Sequence, residues 1–388
     1  MIPAILGWLL LALAAIGTGF TFAAAIVLVR FLGVPQSYSA HDVAVTILKP
    51  LHGAEPHLVD NLATFLCQDH AGPIQLLCGV QRRDDAAIEA VETLRRRFPA
   101  ARIDLVIDPT PHGSNGKIAN LINMESAIAH DVVVLSDSDM VVPPSYLAAV
   151  LTALDQPKVG LVTCLYRGRG DCGLWSRLGA AGVSYRFLPL AAFATAMGKT
   201  GQTCMGSTIA LRRRTLDAIG GFKPFADILA DDHAIGQAVG ALGLVSAIPP
   251  LLLTHAFCET SLPAVWRHEL RWAATVRGLT PPAAYAASVI TLPLPLALAG
   301  MMFHPLTGLA IVIAALAAKL VAAAAVNRAA GEATIARGLL PIRDGLSLAV
   351  FIASFGVRSV DWRGRRLTMT ADGRVAAGTG LQADPLRV

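Results

Sequence analysis

The sequence predicts an α/β domain on a mainly parallel sheet, with apolar segments at both ends. Three observations predict it. Strand-like apolar runs alternate with amphipathic helix-like runs between residues 43 and 165. The run from Ile2 to Val29 carries no charged residue, and the chain turns apolar again after residue 280. Alternation of this kind favours parallel strands joined by crossover helices.

Composition agrees. Of 388 residues 54% are hydrophobic and 15% charged, against roughly 25% charged in soluble domains. Mean hydropathy is +0.56. The net charge of +5 would suit nucleic acid, anionic lipid or a phosphorylated substrate. Several apolar segments in one chain point away from nucleic acid.

The first run, closed by Arg30, is long enough to span a bilayer. It lacks the basic start and short apolar core of a cleaved signal peptide, so residues 1–32 read as a retained anchor. Residues 41–280 are of ordinary polarity and hold most of the Lys and Arg, which places them on the cytoplasmic side. Their strand-like runs are "VAVTILKP" (43–50), "IQLLCGV" (74–80), "RIDLVI" (102–107), "DVVVLSD" (131–137) and "VGLVTCL" (159–165). Helical spacing appears at 84–98 and 117–130. The stretch "FLPLAAFATAMG" (187–198) is apolar but too short to span. It reads either as a core helix or as an interfacial segment with Arg177, Arg186 and Lys199 at headgroup level. Ala283–Phe303 and Leu306–Val326 read as a membrane hairpin turning at His304 and Pro305. Leu339–Val357, interrupted by Arg343 and Asp344, is a third candidate in a membrane region of 283–357, and 358–388 reads as a polar, loosely ordered tail. The six cysteines form no CxxC and read as reduced, mostly buried thiols.

Chemistry concentrates at four places. In "VLSDSDM" (134–140) a strand would send Asp137 and Asp139 to one face. Carboxylates that close repel, and one takes a proton unless a cation joins them. A solvated strand end is the plainer account. Asp231 and Asp232 open a probable helix, where carboxylates also serve the helix dipole. "SLPAVWRHELRWAATVR" (261–277) puts Arg267 and Arg271 four apart on one helix face, followed by Trp272. Gly168, Gly170 and Gly173 fit a dinucleotide-binding glycine pattern. That pattern also requires an acidic residue about 20 positions on, and none lies between Asp171 and Asp217. The dinucleotide reading is rejected.

Taken in order, Asp85, Asp137-Ser138-Asp139, Asp231-Asp232 and Arg267 to Arg271-Trp272 resemble the ceramide glucosyltransferase family, the family 21 glycosyltransferases, which includes bacterial hopanoid-biosynthesis enzymes. "ILKPLHGAEPHLVDNLATF" (47–65), "NGKIANLINM" (115–124) and "DWRGRRL" (361–367) extend the resemblance over about residues 1–370. The resemblance implies a GT-A fold with one N-terminal and two to three C-terminal transmembrane helices. It implies inverting transfer of glucose or N-acetylglucosamine from a UDP-sugar to a membrane lipid, ceramide or a hopanoid polyol. Asp137 is the family-supported position for Mg²⁺ or Mn²⁺, and Asp139 rests on the general pattern of two carboxylates sharing an ion with substrate phosphates. The resemblance makes Asp232 the base, with His233 as a rival on its ordinary pKa. Arg267 and Arg271 would grip the diphosphate, Trp272 floor the acceptor site, Asp85 hold the uridine half, and Lys117 add positive charge. The Ala-rich chain looks bacterial, so the expected location is the inner membrane, multi-pass, with the catalytic domain facing the cytoplasm.

A processive polysaccharide synthase shares these elements, but usually has Gln at the position of Arg267 and more membrane helices for a channel. A non-catalytic scaffold does not need the acidic and arginine sets. A transporter does not place so long a polar region between its first two helices.

Overall fold

The charge-free run folds as one helix, α1 (Ile2–Leu32), and is followed by β1 (Val45–Pro50), α2 (Leu58–Thr64), β2 (Ile74–Val80), α3 (Ala87–Arg97) and β3 (Arg102–Ile107). Next come α4 (Gly116–Met124), β4 (Val132–Leu135), β5 (Met140–Val141), α5 (Tyr146–Leu154), β6 (Val159–Val162) and β7 (Leu165–Gly170). After α6 (Leu174–Gly182), α7 (Leu188–Ala196), β8 (Ile209–Arg212) and α8 (Arg213–Ala218) lie α9 (Asp231–Ala241), β9 (Val245–Ala247) and β10 (Leu252–Phe257). The chain continues through α10 (Leu262–Leu279), α11 (Pro282–Ala287), α12 (Pro293–Met301), α13 (Pro305–Ala330) and α14 (Leu340–Ser354). The computed structural model describes residues 2–34, 38, 42–198 and 204–357, together with strands at 359–362, 365–369 and 375–377. Lys199, and much of the segment expected to be a polar tail, lie outside the described residues.

Seven strands form one sheet in the order β3-β2-β1-β4-β8-β6-β9. It is parallel except at β8, which runs antiparallel to β4 and β6. Both faces are covered, as continuous apolar runs in parallel strands require. Val45, Ile47, Leu76 and Val134 pack on one side with α2, α3 and α5. Leu48, Leu77, Val133 and Leu135 pack on the other with α4 and α9.

The run 159–165 is not one strand. Thr163 ends β6 by exchanging hydrogen bonds with the backbone of Met205, donating through Oγ1 at 3.1 Å and accepting at 3.0 Å. The chain then enters β7, in a second sheet of order β5-β10-β7. Two glycines of the rejected dinucleotide motif, Gly168 and Gly170, serve packing there. A Cβ on Gly168 would lie 2.5 Å from the Ala180 carbonyl oxygen, and one on Gly170 would lie 2.3 Å from the Arg177 nitrogen.

Helices α1 and α13 are each long and apolar enough to cross a membrane. The expected hairpin arm Ala283–Phe303 is different: α11 and α12 are bent by 77°. Pro293 explains the break, because proline drives the preceding residue out of helical geometry, and Leu292 sits at φ −117 and ψ 61. Gly17 of α1 packs on this break, where a Cβ would lie 2.0 Å from the Ile290 oxygen. Helix α14 has 15 residues, too few to span, and its Arg343 and Asp344 are buried with partners on neighbouring helices. The segment 187–198 becomes α7, which lies along α1, Phe193 meeting Phe20 edge-on at 4.7 Å. Three of the six cysteines are buried, Cys67 is exposed, and all six are free.

Candidate active site

The site forms where β1, β2 and β4 end, the place an open parallel sheet reserves for ligands. Strand β4 stops at Leu135, so Asp137 and Asp139 do not alternate along a strand as expected. Lys49, the penultimate residue of β1, helps hold the chain in a turn instead. Its Nζ donates to the Asp137 carbonyl at 2.8 Å and to Ser136 Oγ at 3.1 Å. Met140 N then donates to the same carbonyl at 3.4 Å. Lys49 is fully buried, its Nζ 3.3 Å from the centroid of the Phe65 ring. Burial lowers its pKa to about 7, against the opposing pull of Asp137 and Asp139.

Each aspartate of the pair has its own cationic partner. Lys117 Nζ lies 2.8 Å from Asp137 Oδ1 and 3.1 Å from Asp231 Oδ2. Asn115 sets that lysine in place by capping α4, its Oδ1 accepting from Lys117 N at 3.0 Å and Ile118 N at 3.1 Å. Asn115 Nδ2 also donates to the Ile228 carbonyl at 2.7 Å, which joins the start of α4 to the approach of α9. Burial alone would lower the pKa of Lys117, but Asp137 and Asp231 raise it. On the other side His255 Nε2 lies 2.8 Å from Asp139 Oδ2. Burial alone would raise Asp139, yet His255 brings it down to about 2. Each carboxylate thus has a nitrogen partner from the chain itself, the Lys117 ammonium for Asp137 and the His255 ring for Asp139.

Asp232 meets Asp137 and Lys117 at Gly206. A Cβ there would stand 2.8 Å from Asp137 Oδ2, 3.7 Å from Asp232 Oδ2 and 3.7 Å from Lys117 Nζ. Asp232 Oδ2 accepts from Gly206 N at 3.0 Å, and Oδ1 accepts from His233 N at 2.7 Å. His233 therefore serves Asp232 through its backbone. Burial and then Asp231 raise Asp232 to about 6, Lys117 opposing. Tyr166 on β7 belongs to the same neighbourhood, its phenol raised by burial and then by Asp232, Asp137 and Asp139.

Asp85 joins two loops. Its Oδ1 accepts from Gly53 N at 2.8 Å and Ala87 N at 2.9 Å, and His52 Nδ1 stands 3.6 Å from Oδ2. On α10, Arg267 is exposed, Arg271 is half-buried, and Trp272 packs edge-on against His268 at 4.6 Å and near His255 at 6.0 Å. His268 is ion-paired with Glu259. Burial alone would raise Glu259, but His268 lowers it. Glu259, His268, Asp139, His255, Glu55 and Asn61 line a cavity of about 270 Å³. The geometry therefore joins Asp137, Asp232 and Lys117 directly, links Asp139 to Trp272 through His255, and leaves Asp85 and Arg267 at the margins.

Among the described residues no three His, Cys, Asp or Glu side chains are arranged to hold a metal ion. Divalent cations that work on diphosphates use one or two carboxylates and complete their shell with substrate oxygens and water. The donor set here fits that pattern: Asp137 and Asp139 supply carboxylates, and Asp139 Oδ1 and His255 Nδ1 are buried without hydrogen-bond partners. The sequence reading missed Lys49, His255, Gly206 and Tyr166. Lys49 carried a signal, as a lone cation at the end of an apolar strand and within the quoted stretch 47–65.

Glycosyl transferase family 21 matches residues 9–375. Ceramide glucosyltransferase 1 of Caenorhabditis elegans is 26% identical over 221 residues, covering 56% of this chain and 45% of that protein. Ceramide glucosyltransferase 3 of the same organism is 26% identical over 244 residues, 59% of this chain and 52% of that one. The matched region thus spans about half the length of these relatives. In fold, the chain is similar to the mannosyltransferase PcManGT from Pyrobaculum calidifontis, solved in complex with GDP-Man and Mn²⁺. The TM-score is 0.54 at 20% identity, covering 90% of this chain and 99% of that one. With a GT-A-like fold and a family match over nearly its whole length, the chain belongs to glycosyl transferase family 21.

Proposed function

We propose that this glycosyltransferase moves a hexose, glucose or N-acetylglucosamine, from a UDP-sugar to a hydroxyl of a membrane lipid, ceramide or a hopanoid polyol, with inversion. The observation that carries the reading is the convergence of Asp137, Asp232 and Lys117 on Gly206, at the carboxyl ends of the strands. Inverting transfer needs a base on the acceptor hydroxyl and a leaving group on the opposite face of the sugar. Asp232 takes the hydroxyl proton; its pKa of about 6 lets it be ionised near neutrality while it stays basic. Lys117, Arg271 and Arg267 offset the charge that grows on the departing diphosphate, the arginines through planar forks. Asp137 and Asp139 would hold Mg²⁺ or Mn²⁺, which supplies Lewis-acid stabilisation of that diphosphate when bound. Asp85 anchors the uridine half, and Trp272 floors the acceptor site. In the proposed placement, in the bacterial inner membrane, residues 41–280 form the catalytic domain on the cytoplasmic side.

The test is product analysis of the purified full chain in lipid nanodiscs with Mn²⁺. UDP-glucose and UDP-N-acetylglucosamine are each offered with ceramide and with a hopanoid polyol. One sugar–lipid pair is expected to give a glycolipid. No glycolipid from any pair, with Mn²⁺-linked UDP binding intact, overturns the lipid reading.

A further inference from the structure

Helix α10 carries Arg271 and brings Trp272 to 6.0 Å from His255, yet of its 18 residues only Val265 and Ala274 are buried. So little apolar burial does not fix a helix in a catalytic domain. Beside the packing of His268 and Trp272 on Phe257, the strongest ties on α10 are polar and come from α14. Arg343 near the start of α14 makes a two-armed ion pair with Glu269, at 2.5 Å and 2.6 Å, with the two side chains only 6% and 14% exposed. At the other end Arg277 donates to the carbonyls of Phe355 and Val357, just past α14. The second half of α10 therefore runs beside α14, tied at both ends of α14.

The tie is built into three further elements. Gly182, the last residue of α6, leaves the space that the Arg343 guanidinium occupies: a Cβ there would stand 2.5 Å from it. Asp344, the next residue of α14, is buried against Lys319 of α13, so α14 is itself fastened to a candidate membrane span. On a neighbouring face of α10, His268 stacks on Phe257 at 5.5 Å and Trp272 approaches His255, the partner of Asp139.

We propose that α14 positions the Arg271–Trp272 helix, with Arg343 and Arg277 as positioning residues that set α10 against the catalytic carboxylates. Resting on the lipid-transfer reading, this makes the membrane-side helices part of the active-site scaffold. A guanidinium–carboxylate fork fixes two helices in register as well as in distance, which a single apolar contact does not. Loss of register by about 1 Å at a reacting centre costs about 10²-fold in rate.

The experiment uses the full chain in nanodiscs, with amide hydrogen exchange and lipid transfer measured on the same samples. Arg343→Met is expected to speed exchange across 262–279 while β1 and β4 keep wild-type protection, and to lower transfer at least tenfold at saturating donor. Gly182→Ala, which displaces Arg343 without removing its charge, is expected to act in the same direction. The exchanged pair Arg343→Glu with Glu269→Arg is expected to recover a large part of both losses. Unchanged exchange in α10 overturns the proposal, as does faster exchange spread evenly over the whole chain, which would mark a general stabilising pair. If the wild-type protein glycosylates no lipid, the functional reading falls, while the exchange arm still decides whether α14 holds α10.

Discussion

At Gly206 the absence of a side chain lets three charged groups meet, so a single methyl is a sharp probe. Gly206→Ala places a Cβ 2.8 Å from Asp137 Oδ2, closer than Cβ atoms stand in real proteins. The carboxylate must give way, and Mn²⁺-linked UDP binding is expected to weaken about tenfold, roughly 1.4 kcal/mol, with little change in thermal stability. Titration calorimetry beside a melting curve checks both. Asp232 offers a pH test. Its folded pKa is raised to about 6 from 3.8, so the folded state keeps that proton longer than the unfolded chain does. Ionising it costs stability as pH climbs through that window, and only above it is the base free to act. The kcat–pH profile is expected to rise with a midpoint near 6. Asp232→Asn is expected to remove that limb and to lower kcat by about 10²–10⁴ with donor affinity nearly unchanged. A collapse of donor affinity with kcat preserved would make Asp232 a binding residue. Lys49→Met keeps the contact with Phe65 but removes the two donors that hold the Ser136–Asp137 turn. Metal-linked UDP binding is expected to fall even where the fold survives, and Lys49→Met with wild-type binding would reduce Lys49 to packing. Asp137, Asp232 and Lys117, which meet at Gly206, stood out because charge is scarce in this sequence. His255 was not, since one histidine in an apolar strand looks like any core histidine until Asp139 stands opposite it. Gly206 and Tyr166 carry no pattern that spacing can reveal.

At the scale of elements, the strands β1, β2 and β4 were legible almost residue for residue, because parallel strands buried on both faces leave continuous apolar runs, and the half-buried edge strand β3 was legible too. The run 159–165 misled, since two short strands of different sheets follow each other with only Thr163 and Cys164 between them. Apolar content alone also hid the break at Leu292, although Pro293 was its cause in plain view. Helix α7 settles between the two readings of 187–198. Leu188, Pro189 and Ala192 are buried, while Phe193 faces α1 at Phe20 and Met197 is 59% exposed. It is a catalytic-region helix seated against the first apolar helix. Phe193→Asp is therefore expected to lower transfer to lipid more than hydrolysis of the UDP-sugar by water, with donor binding measured alongside. Equal loss of all three would show that α7 supports the fold as a whole.

For the whole molecule, the lengths and packing of the long helices give an expected position for a bilayer. Helix α1 has 31 residues, about 46 Å at 1.5 Å per residue, whereas the hydrocarbon core is about 30 Å thick. An upright α1 would leave roughly a third of its length outside the core, and packing favours one end. The turn at His304 sits against the first residues of α1, stacking on Trp8 at 4.3 Å and bonding to the Ala4 carbonyl at 2.9 Å. Around that end the apolar side chains of Ile2, Ile5, Leu9, Met302, Leu306 and Leu309 are all exposed, a belt that water would not tolerate and lipid would. At the opposite end Leu28 is buried with Leu188, Ala192, Ala323 and Val326, beside the catalytic sheets. We therefore expect the bilayer to surround the first two-thirds of α1 and of its partner helices, with the last turns among catalytic-domain side chains. Nitroxide labels at Leu9 and Leu309 are expected to be reached by oxygen and shielded from a water-soluble nickel chelate. A label at Val29, 53% exposed on the same helix, is expected to show the reverse. A Val29 label as deep as Leu9 would place the whole of α1 in lipid.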